Sequence, residues 1–257
     1  MLLKDKHAVI FAATGAVASE VARTFAREGA HVWLSGRNEA KLSELVDEIQ
    51  QQGGNAHFHL LDATNPQAVG HYVAHIAKEI PSLDITFNGI GLPPKDLGYP
   101  ALSAVQPLED FFKPINLIVG STFLTSREVA KVMQGQGHGS IITLSATLNV
   151  MPAAFMAGIS AACGAVESIT RSLAGEFGPS GIRVNCVRGN AMPETATIQL
   201  TTAGLEAILG RMPEPSPPPL GRPITVAETA KTAAYLASDL ASGVTGQVVM
   251  VSAGAFV

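Results

Sequence analysis

The feature that most restricts the possible folds is an alternation that never breaks. Short apolar runs and stretches of helical period follow one another along the whole chain. "HAVIFA" precedes "AVASEVARTFAREG", where Val17, Val21 and Phe25 fall on one helical face. "HVWLSG" precedes "NEAKLSELVDEIQQQGG", with Asn38 placed to cap the helix and Gly53 to stop it. "NAHFHLLD" leads to a helix entered through "ATNPQAV", and Pro66 suits a first turn because its missing N–H has no helical partner there. "LDITFNG" is a fourth strand, and after the loop Gly91–Pro100 one long helix is predicted over Leu108–Gln134. Then come the strand "GSIITLSA", the helix from Ala157 to Gly178 and the strand "GIRVNCV". A Pro- and Thr-rich stretch from Met192 to Pro223 links these to "TVAETAKTAAYLASD" and a last strand, "GQVVMVS". Strands joined through helices run parallel, and right-handed crossovers cover both faces of the sheet. The prediction is an α/β fold: one doubly wound parallel sheet of about seven strands with helices on both faces, no interdomain linker, and any ligand beyond the carboxyl ends of the strands.

Bulk properties narrow the partners. At 47% hydrophobic and 15% charged, 257 residues can bury a sizeable core. A net charge of -4 offers no basic footprint for nucleic acid. The opening "MLLKDKHAVIFAATGAVA" resembles a secretion signal, but Asp5 and His7 interrupt it and a first strand is the better reading. No apolar run is long enough to span a membrane, so a soluble cytoplasmic protein is expected. Cys163 and Cys186 read as reduced, buried thiols. His57, His59, His71, His75 and His138 show no metal-ligand spacing with carboxylates or thiols, and no metal is expected.

At "FAREGAHVWLSGR", "GSIITLS", "ITRSLAGEFGPSGIRVN" and "YLASDLASGVTGQVVMV" the chain resembles the short-chain dehydrogenase/reductase family over nearly its whole length. The resemblance implies a single Rossmann-type domain over residues 1–257, NAD(P)H binding, hydride transfer to or from a small carbonyl or hydroxyl substrate, and a dimeric or tetrameric homo-oligomer. The family loop TGxxxGxG falls on Phe11 to Ala18, so its glycine positions are Ala12, Ala16 and Ala18. Glycine serves there where a side chain would obstruct a turn, a phosphate or a helix contact. An added methyl costs about 1 kcal/mol wherever the backbone needs positive φ. Ala12, Thr14, Gly15 and Val17 are the loop's candidate cofactor contacts. Where an acidic residue would hold the ribose hydroxyls of NAD, this chain has Arg37, suited to the 2′-phosphate of NADP. Asp62 matches the adenine contact, and Asn88 and Gly91 in "NGIG" match part of the family's NNAG turn.

The catalytic positions depart from the pattern. Ungapped alignment puts the family tyrosine at Ile159 and the lysine at Cys163, and no YxxxK occurs anywhere in the chain. Asn116 matches the family's helix asparagine, and the family serine falls on Ser145 or on Ala146. Arg188 stands where the family has a small residue, and could replace the missing lysine's charge at a ribose or substrate oxygen. Residues 192–223 are expected to form a substrate lid, stiffened by "PEPSPPP". Three readings stay open. One is an NADP-preferring oxidoreductase whose proton comes from water, the substrate or Tyr99. The second is a non-redox enzyme of dehydratase or cyclase type. The third is an inactive homologue acting by binding.

Overall fold

The structure, a computed structural model, describes residues 1–211 and 216–255. The strands are β1 (His7–Phe11), β2 (His31–Gly36), β3 (Asn55–Leu60), β4 (Ile85–Asn88), β5 (Gly139–Ala146), β6 (Ile182–Gly189) and β7 (Val248–Val251). They form one parallel sheet in the order β3-β2-β1-β4-β5-β6-β7. The chain winds outward from β1 to β3, then returns to lay β4 on the free side of β1. That reversal opens a crevice above the ends of β1 and β4.

Among the described residues there are eight α-helices: α1 (Ala16–Arg27), α2 (Glu39–Gln51), α3 (Pro66–Glu79), α4 (Leu108–Pro114), α5 (Gly120–Gln136), α6 (Ala157–Phe177), α7 (Ala196–Leu209) and α8 (Val226–Ala237). One face buries Val21, Phe25, Leu42 and Ala233 against the sheet; the other buries Val73, Val129, Met133 and Phe177. Because both faces are covered, central strands read as unbroken apolar runs. In β1, Ala8 to Phe11 are fully buried. The local signals act as read: Asn38 accepts the Lys41 N–H at 3.0 Å to cap α2, and Pro66 opens α3 beside the Asn65 cap.

Two segments differ from the sequence reading. The long helix expected from Leu108 ends its first part at Pro114, and Ile115–Val119 form a π turn before α5 begins. Proline lacks the N–H that the preceding turn would bond, and a π turn is one way to absorb that gap. The stretch from Met192 to Pro223 contains α7, which the prolines and threonines hide. Thr195 caps it, yet none of its residues is fully buried, so it carries almost no core periodicity. Residues 213–215 of the "PEPSPPP" run lie outside the described residues. No helix among the described residues is long and apolar enough to cross a membrane.

Candidate active site

The crevice has two ends. At one, β1 turns into α1 through Ala12, whose φ of 55° is the left-handed conformation that glycine adopts without cost. The altered loop therefore keeps the glycine geometry and carries the strain of a methyl. Gly15 stands at the N-cap of α1 with no side chain capping it, leaving the Ala16, Val17 and Ala18 amides without a partner among the described residues. Free amides at a helix start suit an anion. The third altered glycine, Ala18, is 1% exposed, and a Cβ built on Gly89 would lie 2.5 Å from the Ala18 Cβ. The glycine in "NGIG" thus accommodates the methyl gained in the phosphate loop.

Arg37 is exposed just beyond β2 and makes no ion pair among the described residues. Asp62 follows β3, where its Oδ1 accepts the Thr64 hydroxyl at 2.7 Å and the Thr64 amide at 2.9 Å. Those bonds, with a smaller pull from Arg37, lower the Asp62 pKa. Asn88 is 2% exposed and spends its side chain inside the protein. Its Oδ1 accepts from Thr125 at 2.9 Å and its Nδ2 donates to Ser126 at 3.1 Å, tying β4 to α5. Only the backbone of Asn88 is left to face a ligand. Gly91 begins the loop leaving β4, with open space where a side chain would be.

The other end of the crevice is apolar. Ile159 and Cys163, each 6% exposed, pack in one cluster with Leu97, Tyr99 and Met156. Ile115, Leu117, Ile118 and Val119 of the π turn pack against it, as do Ala146 from β5 and Leu205 from the exposed helix α7. Asn116 does not. Its side chain is exposed and lines a groove of about 320 Å³ with Thr64, Pro66, Ser121 and Arg127. The extra residue of a π turn shifts which side chains face inward, and here it brings isoleucines to the cleft and sends the asparagine out.

Ser145 points under the cleft rather than into it. Its hydroxyl donates to Glu167 Oε1 at 2.9 Å. Asn149 Nδ2 donates to Glu167 Oε2 at 2.9 Å, and Arg188 grips the same carboxylate through Nε at 2.7 Å and Nη2 at 2.5 Å. Glu167 is 3% exposed. Burial pushes its pKa up, but the bonds from Arg188, Asn149 and Ser145 together hold the carboxyl below its ordinary value. The network fastens β5, the 3₁₀ turn Thr147–Asn149, α6 and β6 to one another beneath the cleft floor. Sequence reasoning missed this role, although the signal was present. Ile159, Cys163 and Glu167 are spaced by four and share the face of α6 that meets the sheet.

Burial pushes the Cys163 thiol up, against the weaker opposing pull of the Ala146 amide and the Ser145 hydroxyl. A raised thiol pKa fits a space-filling cysteine better than a nucleophile. Both cysteines are free and buried, and no group of three metal-ligating side chains occurs among the described residues.

Comparison with known proteins places this architecture. The family model described as "Enoyl-(Acyl carrier protein) reductase" matches residues 12–255. Cyclopentanol dehydrogenase of Comamonas sp. (strain NCIMB 9872) is 34% identical over 233 residues, 89% of this chain and 88% of that protein. The 7alpha-hydroxysteroid dehydrogenase of Escherichia coli (strain K12) is 31% identical over 256 residues, 98% of this chain and 94% of that protein. The crystal structure of NAD+-bound xylitol dehydrogenase superposes with a TM-score of 0.91 at 22% identity, covering 99% of this chain and all of the other, which speaks to the fold. With the sheet order, the crevice and these likenesses together, the chain belongs to the short-chain dehydrogenase/reductase family, the NAD(P)-dependent oxidoreductases built on a Rossmann-type sheet.

Proposed function

We propose that this protein is an NADP-preferring oxidoreductase acting on a small, uncharged carbonyl or hydroxyl substrate, with a proton relay unlike the family's. The observation that carries the reading is Arg37, a free guanidinium on the crevice side of β2 where a cofactor's ribose would lie. The uncapped amides of Ala16, Val17 and Ala18 fit the pyrophosphate, Thr14 and Gly15 line the same turn, and Asp62 offers a carboxylate oxygen to the adenine. When bound, the cofactor supplies the hydride. The protein's part is to orient it and to exclude water, and orientation alone can account for ~7–11 kcal/mol of a barrier.

The apolar cluster of Ile159 and Met156, with Leu205 packed against it, would line the nicotinamide end of the crevice, which favours an uncharged substrate over an acid or a phosphate. Arg188 remains a candidate for a ribose or substrate oxygen through Nη1, whose protein contact is Met250 Sδ at 4.0 Å. Helix α7, within the 192–223 stretch, serves in this reading as the substrate lid, with Leu205 against the cleft cluster. Leu108, Phe112 and Phe123 are 70%, 41% and 45% exposed on α4 and α5, and support self-association of the cytoplasmic protein through that face.

The test is a fluorescence titration with NADPH and NADH, followed by NADPH consumption with neutral ketones such as cyclopentanone. The reading expects NADPH to bind roughly 10-fold or more tighter than NADH, the advantage disappearing in Arg37→Ala, because a charged hydrogen bond contributes about 1.5–3 kcal/mol. Equal affinities, or no binding, would remove it. The packed apolar cleft gives a second reading, a binding protein without turnover; NADPH bound and no ketone consumed would favour it.

A further inference from the structure

Resting on the oxidoreductase reading, we propose that the Tyr99 hydroxyl donates the proton to the substrate carbonyl, from the loop after β4 rather than from α6. Transfer of hydride to a carbonyl carbon forms the new C–H bond and drives the C=O π electrons onto oxygen. That oxygen takes the Tyr99 phenolic proton, and the phenolate regains one from water. In the reverse direction the Tyr99 hydroxyl first gives its proton to water, and the phenolate oxygen then accepts the alcohol's proton as hydride leaves the carbinol carbon.

Placement is the first argument. Tyr99 packs in the cluster that contains Ile159 and Cys163, so a phenol reaches the region from which the α6 side chains supply no acid. Its ring is buried, with the residue 8% exposed overall. Its hydroxyl, however, has no hydrogen-bond partner among the described residues and is not among their sealed, unpartnered polar atoms, in contrast to the Tyr72 hydroxyl. A phenol buried along its ring, with an oxygen neither bonded nor sealed, keeps its donor free.

The loop is also held at several points. The Tyr99 amide donates to the Pro94 carbonyl at 3.2 Å, and the Ala101 amide donates to the Phe155 carbonyl at 2.9 Å. Phe155 sits at φ 65°, a strained position for a phenylalanine, one residue before the Met156 N-cap of α6. From the other side α7 leans on Pro100 so closely that a Cβ on Gly204 would lie 2.8 Å from the proline ring. The two residues after Tyr99 are thus fastened, Pro100 against α7 and Ala101 to the chain just before α6. Burial, with a smaller contribution from Cys163, raises the phenol to about 12, so it stays protonated and available as a donor at neutral pH.

The experiment compares wild type with Tyr99→Phe, which removes one oxygen and keeps the ring. NADPH affinity, the urea midpoint and steady-state reduction of cyclopentanone and other neutral ketones are measured on the intact chain. General acid help contributes typically ~10²–10⁴-fold, so kcat is expected to fall at least about 100-fold. NADPH affinity and stability should hold, and Tyr235→Phe, at an exposed position of α8, should keep full rate. Wild-type kcat in Tyr99→Phe would overturn the assignment while leaving the oxidoreductase reading intact. A wild type that binds NADPH and turns over no ketone would overturn both.

Discussion

Removing Arg188 is the sharpest structural perturbation available. Glu167 is 3% exposed and its carboxylate takes two of its four hydrogen bonds from the guanidinium, whose side chain is 16% exposed. Arg188→Ala strands a buried charge, and breaking such a pair costs about 3–5 kcal/mol. The Ser145 and Asn149 bonds remain, so the lower end, about 3 kcal/mol at pH 7.5, is expected. In wild type the Glu167 pKa lies below its unfolded value. Its stabilising contribution is therefore present above about pH 4.5 and is lost as pH falls through the lower folded value. In the variant the cation is gone and burial raises the carboxyl instead, so protonation relieves the strain and the deficit narrows between pH 7.5 and pH 5. The assay is urea unfolding followed through Trp33, the only tryptophan. Glu167→Gln combined with Arg188→Met should recover most of the loss, because the neutral amide strands no charge and its oxygen can still accept a bond from Ser145 or Asn149. A loss under about 0.5 kcal/mol in Arg188→Ala, a loss independent of pH, or no recovery in the double variant would each refute the reasoning.

Other expectations follow from single contacts. Ala12→Gly should stabilise the fold by about 1 kcal/mol in urea melts, since φ 55° suits glycine, and tighten NADPH binding if the methyl also crowds a phosphate. Gly89→Ala should destabilise by about 1–3 kcal/mol through the 2.5 Å clash with Ala18, and Ala18→Gly should restore most of the loss, giving a non-additive cycle. Gly204→Ala should push α7 off Pro100 and lower ketone reduction up to about 100-fold with little change in NADPH affinity, because a 1 Å misplacement of a reacting group can cost that much.

What the sequence reveals depends on how local the physics is. Asn38 and Pro66 announce helix starts because a cap and a missing N–H act within one turn. The alternation gives the parallel sheet, and the position of Arg37 after a strand places it at the crevice without knowledge of any distant contact. The cleft is harder. Asn116 reads as a site residue by its neighbours in sequence, but the π turn at Ile115–Val119 changes the helical register, which no periodicity records. Arg188 reads as a spare charge because its carboxylate partner lies 21 residues earlier, on another element. Helix α7 escapes notice because it buries too little to leave a stripe. Tyr99, the proposed donor, is legible only as one candidate among three, since a loop's path follows from contacts at Phe155 and Gly204.

The central claim is hydride chemistry without the family's tyrosine and lysine, and isotope transfer tests it directly. The protein is incubated with NADPH deuterated at the transferring position and cyclopentanone, and the alcohol is examined by mass spectrometry and NMR. One deuterium on the carbinol carbon, matched by an equal yield of NADP, is the expected result. NADPH that binds and is recovered with its label intact, with no alcohol formed, would contradict the account.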